Sequence, residues 1–438
     1  LHPQPPRPPF PLVQPRSMST AHSDVRLPKH PLQVTPDSPG ITDVPGFEAA
    51  GVPCDLRQKN DLKRLDLALV YSLRPCTAAG TFTRNAVKAA PVLLCTEYLA
   101  EGGPFHGIVA NSGNANACTG ADGLCDAHAT ARRAAAALNQ NPAAFFVCST
   151  GRIGQPLPMD RVLKGVERAV NEKGRLPAHG QRAAEAVLTS DTRPKTVTVS
   201  FTYDGKKHTV AGFAKGAGMI QPNMATMLAF LATDFSVPRS FLQKTLSEAV
   251  AGTFNCITVD GDMSTNDTVL MLANGHSGVS VGDKSPRELR VLFGEAVWKA
   301  CEVLADKIVS DGEKITKVIE VKITGAASAE DAEKVARAIG NSLLVKSSWY
   351  GEDPNWGRLA DAAGYAGAKL IEAKLDILYN DTPAMTAGKP HPELKPKWKE
   401  IVKARRFTVQ LNLHLGKAAY RLLATDLTEG YVHYNKSE

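Results

Sequence analysis

Residues 215–234 read KGAGMIQPNMATMLAFLATD. A glycine-bearing loop ends in Pro222, Asn223, Met224 and Ala225, and the apolar run that follows predicts a buried strand opening at Thr226. A threonine at that junction has a specific chemistry open to it. Its hydroxyl can attack the Ala225 carbonyl and shift the acyl group from nitrogen to oxygen. Hydrolysis of that ester frees Thr226 as a new N-terminus, whose amine lies beside its own hydroxyl and serves as general base. An α-amine has a pKa of about 7.7–8.0, so a sizeable fraction is neutral near pH 7 to 8. The plainer reading of Thr226 is one more strand threonine.

Acyl transfer also needs donors where an oxyanion forms, each contributing roughly 2.7–4 kcal/mol. Residues 145–148 (FFVC) read as a strand, and Ser149, Thr150 and Gly151 read as a turn after it, where a glycine backbone can approach an oxygen closely. The plainer reading is a strand-end turn. There is no phosphate-binding glycine loop, no HExxH and no GxSxG. Asp260, Asp262, Ser264 and Asn266 have the spacing of a calcium loop, but Thr265 stands where that loop needs glycine and Met271 where it needs glutamate. No metal and no cofactor are expected.

The segment around Thr226 resembles the self-cleavage motif of the ornithine acetyltransferase (ArgJ) family, the bifunctional glutamate N-acetyltransferases of arginine biosynthesis. Similar stretches run in order through the chain. They are FTRN at 82–85 with AAPV at 89–92, NSGNANACTG at 111–120, CSTG at 148–151, LTSDT at 188–192, VDGD at 259–262, STNDT at 264–268, IVSDGE at 308–313 and GEDPNWGR at 351–358.

The resemblance implies that Thr226 is both the self-cleavage agent and the acyl-accepting nucleophile, with the scissile bond at Ala225–Thr226. Thr150 and Gly151 would supply the oxyanion donors. Thr189, Lys215, Thr226, Glu313 and Asn435 would bind substrate, Lys215 suiting a carboxylate and Glu313 the amino group of ornithine. The implied reaction moves acetyl from N-acetylornithine to glutamate without a cofactor, acetyl-CoA being a further possible donor. The implied fold is a layered α/β sandwich of the type shared with DmpA aminopeptidases, assembled as an α2β2 heterotetramer, with no nucleic-acid or membrane partner. An aminopeptidase or amidase on the same chemistry, and a non-catalytic binding protein on the same fold, are the rivals. The chain departs from the family at 314–317, where KITK stands for a more usual Gly-Ala-Thr-Lys, at Gln221, often His, and at 53–57 (PCDLR). The C-terminal substrate-binding threonine of the family has no counterpart after Asn435.

These residues need elements to hold them. KTVTVSFTY at 195–203, residues 317–325, and FTVQLNLHL at 407–415 alternate with a period of two and predict half-buried strands. Helices are predicted over 160–171, over 241–251, and after Ser328, whose spacing to Asp331 is a capping pattern. Strands and helices alternate, which predicts α/β layers containing antiparallel sheet. Three segments dense in Gly, Asn, Thr and Asp (111–120, 215–225 and 260–267) predict long ordered loops of the kind that line sites.

The chain has 438 residues, 43% hydrophobic and 22% charged, which excludes a disordered chain, a fibre or a coiled coil. The apolar run 224–232 is too short to span a membrane. Net charge is +7, and residues 389–406 alone carry seven Lys/Arg against two Glu, read as a solvated loop or hairpin rather than a nucleic-acid surface. Eight cysteines without CxxC spacing predict free, mostly buried thiols in a reducing compartment, the cytoplasm or, for a eukaryotic source, the mitochondrion. The expected organisation is a flexible proline-rich leader over 1–40, with a start at Met18 and folded structure from Ile41. An α chain over 41–225 follows, then a β chain over 226–438 that includes a smaller α/β part.

Overall fold

The computed structural model describes residues 32–221 and 227–436. A nine-stranded sheet is built from β1 (Gln33–Pro36), β2 (Phe47–Val52), β3 (Leu67–Phe82), β4 (Phe105–Asn114), β5 (Phe145–Arg152), β6 (Lys195–Tyr203), β7 (Lys206–Lys215), β8 (Leu228–Thr233) and β9 (Thr268–Ala273). A six-stranded sheet follows, from β10 (Val318–Ala326), β11 (Asp376–Tyr379), β12 (Thr382–Thr386), β13 (Lys389–Pro390), β14 (Arg406–Asn412) and β15 (Ala418–Thr425). The helices are α1 (Ala90–Glu101), α2 (Gly120–Ala137), α3 (Met159–Glu172), α4 (Pro177–Ala186), α5 (Arg239–Gly252), α6 (Arg287–Ser310), α7 (Ala329–Asn341), α8 (Leu343–Tyr350), α9 (Trp356–Gly364), α10 (Lys395–Lys403) and α11 (Glu429–Tyr434).

Strand β3 belongs to two layers. Its first half pairs with β2 and β4, and its second half, Thr77 to Phe82, pairs with β9. One layer therefore runs β1-β6-β7-β8-β9-β3, and the other holds β2, β3, β4 and β5. Alternate side chains serve opposite faces. Phe213, Phe230 and Leu270 meet Val70, Ile108 and Phe146 between the layers. Ala214, Leu231 and Met271 face outward onto α5 and α6, while Leu69, Val109 and Phe145 face α2 and α3 on the far side. The result is a helix–sheet–sheet–helix sandwich, the layered α/β class expected. The six-stranded sheet packs α7, α8, α9 and α10 around a separate apolar cluster, and joins the first unit where Thr258 N–H donates to Leu423 O at 2.8 Å.

Several local expectations change. Strand β6 is buried on both faces, not half-buried, because the turn at 37–43 covers its polar side. Thr196 Oγ1 donates to Ser38 O at 2.7 Å, and Thr198 Oγ1 bonds Asp43 Oδ2 at 2.5 Å. Folded structure starts before Ile41, since β1 pairs with β6 from Gln33 onward. The segments 111–114 and 149–151 are strand rather than loop and turn, because β4 and β5 pair in parallel as far as Arg152. The helix after Ser328 runs through Gly340 to Asn341, with the Ser328 hydroxyl accepting the Asp331 N–H at 3.0 Å. Strand β14 keeps the predicted alternation. All eight cysteines are free thiols, Cys118 and Cys125 exposed and the others buried or half-buried. Among the described residues no helix is long and apolar enough to cross a membrane.

The basic stretch 389–406 is not a loop. Half of it is α10, whose Trp398 turns inward to 2% exposure and donates Nε1–H to Pro383 O at 3.0 Å. Lys395, Lys397, Lys399 and Lys403 occupy the solvent side of that helix. Trp398→Ala should therefore cost about 3–5 kcal/mol in chemical denaturation. Lys397→Ala and Lys399→Ala should stay within about 0.5 kcal/mol of wild type. Equal effects from all three would contradict this packing.

Candidate functional site

The site residues gather where five elements end together: β5, β7, the segment 188–192, the turn after α6, and α11. Thr150 lies near the end of β5, 3% exposed. Gly151, next to it, has φ +135°, and a Cβ there would fall 2.3 Å from the Gly113 carbonyl carbon. Two strand backbones meet here closely enough that only glycine fits.

Lys215 closes β7 at 2% exposure. Its Nζ donates to Thr150 Oγ1 at 3.2 Å and lies 3.9 Å from Asp191 Oδ2. The Thr150 hydroxyl accepts from an ammonium, so its own proton stays available to a nearby oxyanion. Burial pushes the Lys215 amine below the usual lysine range, opposed chiefly by Asp191 and augmented by Lys195.

Asp191 anchors the arrangement. It accepts from Lys195 Nζ at 2.6 Å, from Gly216 N–H at 2.7 Å and from Thr189 N–H at 3.1 Å. Lys195 Nζ also reaches Asp311 Oδ2 at 2.6 Å, and Asp311 in turn takes the Thr192 N–H at 3.0 Å. Burial alone would raise the Asp191 carboxyl, but Lys215 and Lys195 outweigh it and bring it down to about 2. Two acids and two lysines thus form a nearly dry cluster of zero net charge.

Glu313 follows two residues after Asp311. Its N–H donates to Ala217 O at 2.9 Å, and its carboxylate accepts from Asn435 Nδ2 at 3.3 Å. A Cβ on Gly218 would fall 2.3 Å from that carboxyl group, so the glycine loop makes room for it. The structure thus brings Thr189, Thr150, Gly151, Lys215, Glu313 and Asn435 near one another. Ala225 and Thr226 lie outside the described residues; the described residues on either side are held by two aspartates. On one side Met219 and Ile220 donate their N–H groups to Asp260 at 2.5 and 2.8 Å. On the other, Met227 donates to Asp267 Oδ1 at 3.0 Å. Asp267 is fully buried, and burial pushes its carboxyl well above the usual range.

The asparagine-rich segments lock together around this point. Ser149 Oγ donates to Asn111 Oδ1 at 2.6 Å. Asn266 Nδ2 donates to Ala115 O and Ser149 O at 2.6 and 2.8 Å. Thr83 Oγ1 donates to Ser264 O at 2.7 Å. Reasoning from sequence missed Asp191, Lys195, Asp311, Asp267 and Asn266 as site residues. Lys195 did carry a signal, because it shares the parity of Val197 and Val199 and so had to point into the core with a charge. The departures also sit on the site: Gln221 Oε1 accepts from Asn341 Nδ2, Lys314 follows Glu313, and Arg57 lies against Gly113.

Asp191 has a testable electrostatic signature. Its native carboxyl titrates near 2 against an ordinary 3.8. A depressed acid contributes stability that is present above its unfolded pKa and lost as pH falls through its folded one. That contribution is on the order of 2 kcal/mol, lost between about pH 4 and pH 2. Asp191→Asn should remove that pH dependence and cost about 3–5 kcal/mol at pH 7 by leaving buried lysines uncompensated. Denaturation curves of both proteins across pH 2–7 check this. Parallel stability profiles would refute it.

The model of the ArgJ family matches residues 48–437. The arginine biosynthesis bifunctional protein ArgJ of Symbiobacterium thermophilum is 44% identical over 401 residues, 91% of this chain and 98% of that protein. Its counterpart in Thermotoga neapolitana is 42% identical over 395 residues, 89% of this chain and 98% of that protein. A solved structure of Mycobacterium tuberculosis ornithine acetyltransferase, complexed with ornithine, is 42% identical; the match covers 44% of this chain and 98% of that one, with a TM-score of 0.40.

Proposed function

Because this chain belongs to the ArgJ family and is an acyltransferase of arginine biosynthesis, we propose that it moves acetyl from N2-acetylornithine to glutamate through an ester on Thr226. The observation that carries this reading is the buried contact of Lys215 Nζ with Thr150 Oγ1. It supplies a polarised hydroxyl near the end of β5, held by the lysine that closes β7.

Maturation comes first. Thr226 Oγ attacks the Ala225 carbonyl, the peptide C–N bond breaks, and the freed amine takes the hydroxyl proton. Water then hydrolyses the ester, leaving a carboxylate on Ala225 and a free Thr226 amine. In the transfer step that neutral amine accepts the Oγ proton while Oγ attacks the acetyl carbonyl. Thr150 O–H and Gly151 N–H donate to the oxyanion. The bond to the ornithine α-nitrogen breaks, and ornithine leaves with the proton. The glutamate α-amine then attacks the acetyl ester and releases N-acetylglutamate. An ammonium has three donors, and Thr150 and Asp191 account for two directions around Lys215, which leaves one for a substrate carboxylate. Glu313 and Asn435 receive the ornithine side chain. The exchange needs no cofactor, and acetyl-CoA is a further donor. We further propose that the enzyme works as an α2β2 assembly in the cytoplasm or, for a eukaryotic source, the mitochondrion.

Two experiments test this. Wild-type protein should run as two chains, parted between Ala225 and Thr226, while Thr226→Ala stays uncut and inactive. Thr150→Ala should lower kcat about 100-fold or more with a smaller change in KM. Fully active enzyme in one uncut chain would overturn the nucleophile assignment. Ornithine release that is equally fast without glutamate, yielding acetate, would make the protein an amidase instead.

A further inference from the structure

Arg64 was not among the expected site residues, yet it stands where three walls of the site meet. It lies in the connection between β2 and β3 and is half-buried. Its Nη2 donates to Leu188 O at 2.5 Å, directly before Thr189, and touches Ser112 Oγ at 3.5 Å. Ser112 is the Cα partner of Thr150 across β4 and β5, so Arg64 touches the residue that lies one strand spacing, ~4.8 Å, from the oxyanion threonine. Tyr434 of α11, the neighbour of Asn435, is also within electrostatic reach of it.

The charge of Arg64 is not used up locally. Its acidic neighbours are Asp61 and Asp66. Asp66 accepts the N–H groups of Cys54 and Leu56 at 2.6 and 2.7 Å. Asp61 accepts those of Lys63 and Arg64 itself at 3.1 and 3.2 Å. Both acids are thus committed to the backbone of their own loop. Arg57, the other charged group near Arg64, is a second cation. Among the described residues no carboxylate forms an ion pair with this guanidinium, which has five donors in a planar fork suited to one.

A pocket that takes ornithine and glutamate in turn meets side chains of opposite charge. Near α11 the structure has an anion, Glu313 against Asn435, and a cation, Arg64 near Tyr434, carried by different elements. We propose that Arg64 is the acceptor-specificity residue, binding the side-chain carboxylate of the acidic amino acid, separately from the α-carboxylate taken by Lys215. This rests on the transferase reading above.

Calorimetric binding of glutamate and of ornithine to the processed enzyme tests it, with wild type, Arg64→Gln and Arg64→Lys. Arg64→Gln should weaken glutamate roughly 10- to 100-fold and leave ornithine within about 3-fold. Arg64→Lys, which keeps the charge but not the fork, should recover most of the glutamate affinity. If Arg64→Gln does not fold, Arg64→Lys carries the test alone, with a several-fold loss for glutamate only. Equal weakening of both ligands would overturn the proposal and reduce Arg64 to a brace for the segment 188–192. A wild-type enzyme that binds ornithine but transfers no acetyl to glutamate would overturn the functional reading first, and this assignment with it.

Discussion

The buried cluster of Asp191, Lys195, Asp311 and Lys215 is the constraint on which the site depends. Each of these charges would be costly to bury alone, by several kcal/mol. They are tolerated because each acid meets a lysine and each acid's remaining oxygen meets backbone or hydroxyl donors. The cluster ties the segment 188–192, the head of β6, the end of α6 and the end of β7 into one rigid body. Thr189, Glu313 and Thr150 are set by it at one remove. Thr189 is two residues before Asp191, Glu313 two residues after Asp311, and Thr150 is the hydroxyl that Lys215 touches.

The position of the proposed cleavage follows a similar logic. Strands β7 and β8 lie on either side of it and pair with each other from Lys215–Leu228 to Val210–Thr233. Strand β8 then pairs with β9 along its full length. A cut between 225 and 226 therefore separates two strands that remain joined by a ladder and by a shared core containing Phe213 and Phe230. The products of such a cut stay folded as one body. A boundary between chains need not be a boundary between structural units, and here the first sheet takes strands from both sides.

The α/β layering and a few strands were legible because their hydrophobic period is clean, as in β14, where Phe407, Val409 and Leu411 alternate with polar residues. The site was legible only as motifs. Residues such as Asn111, Asn266 and Asp191 owe their roles to partners far away in sequence, at separations that no local pattern encodes. Burial of β6 on both faces was hidden for the same reason: its threonines look solvent-facing until Ser38 and Asp43 are folded over them. The basic stretch 389–406 looked like a loop because its charges and prolines masked Trp398 and Val402, the two side chains that α10 buries.

The departures from the family show how a local cost can be met by a neighbour. Lys314 has φ +54°, a conformation in which glycine is at ease and a residue with a Cβ loses about 1 kcal/mol. Its ammonium lies 5.2 Å from the centre of the Tyr434 ring, a contact of about 0.5–1 kcal/mol at an exposed position. Its carbonyl accepts the Thr428 hydroxyl at 2.7 Å, at the point where that same hydroxyl caps α11 through Tyr431 N–H at 3.0 Å. Tyr431 in turn reaches Asp260, which holds the glycine loop. Lysine at 314 therefore does more than replace a glycine. Its side chain lies over Tyr434 of α11, while its backbone carbonyl, which any residue would supply, holds the cap of that helix beside Glu313.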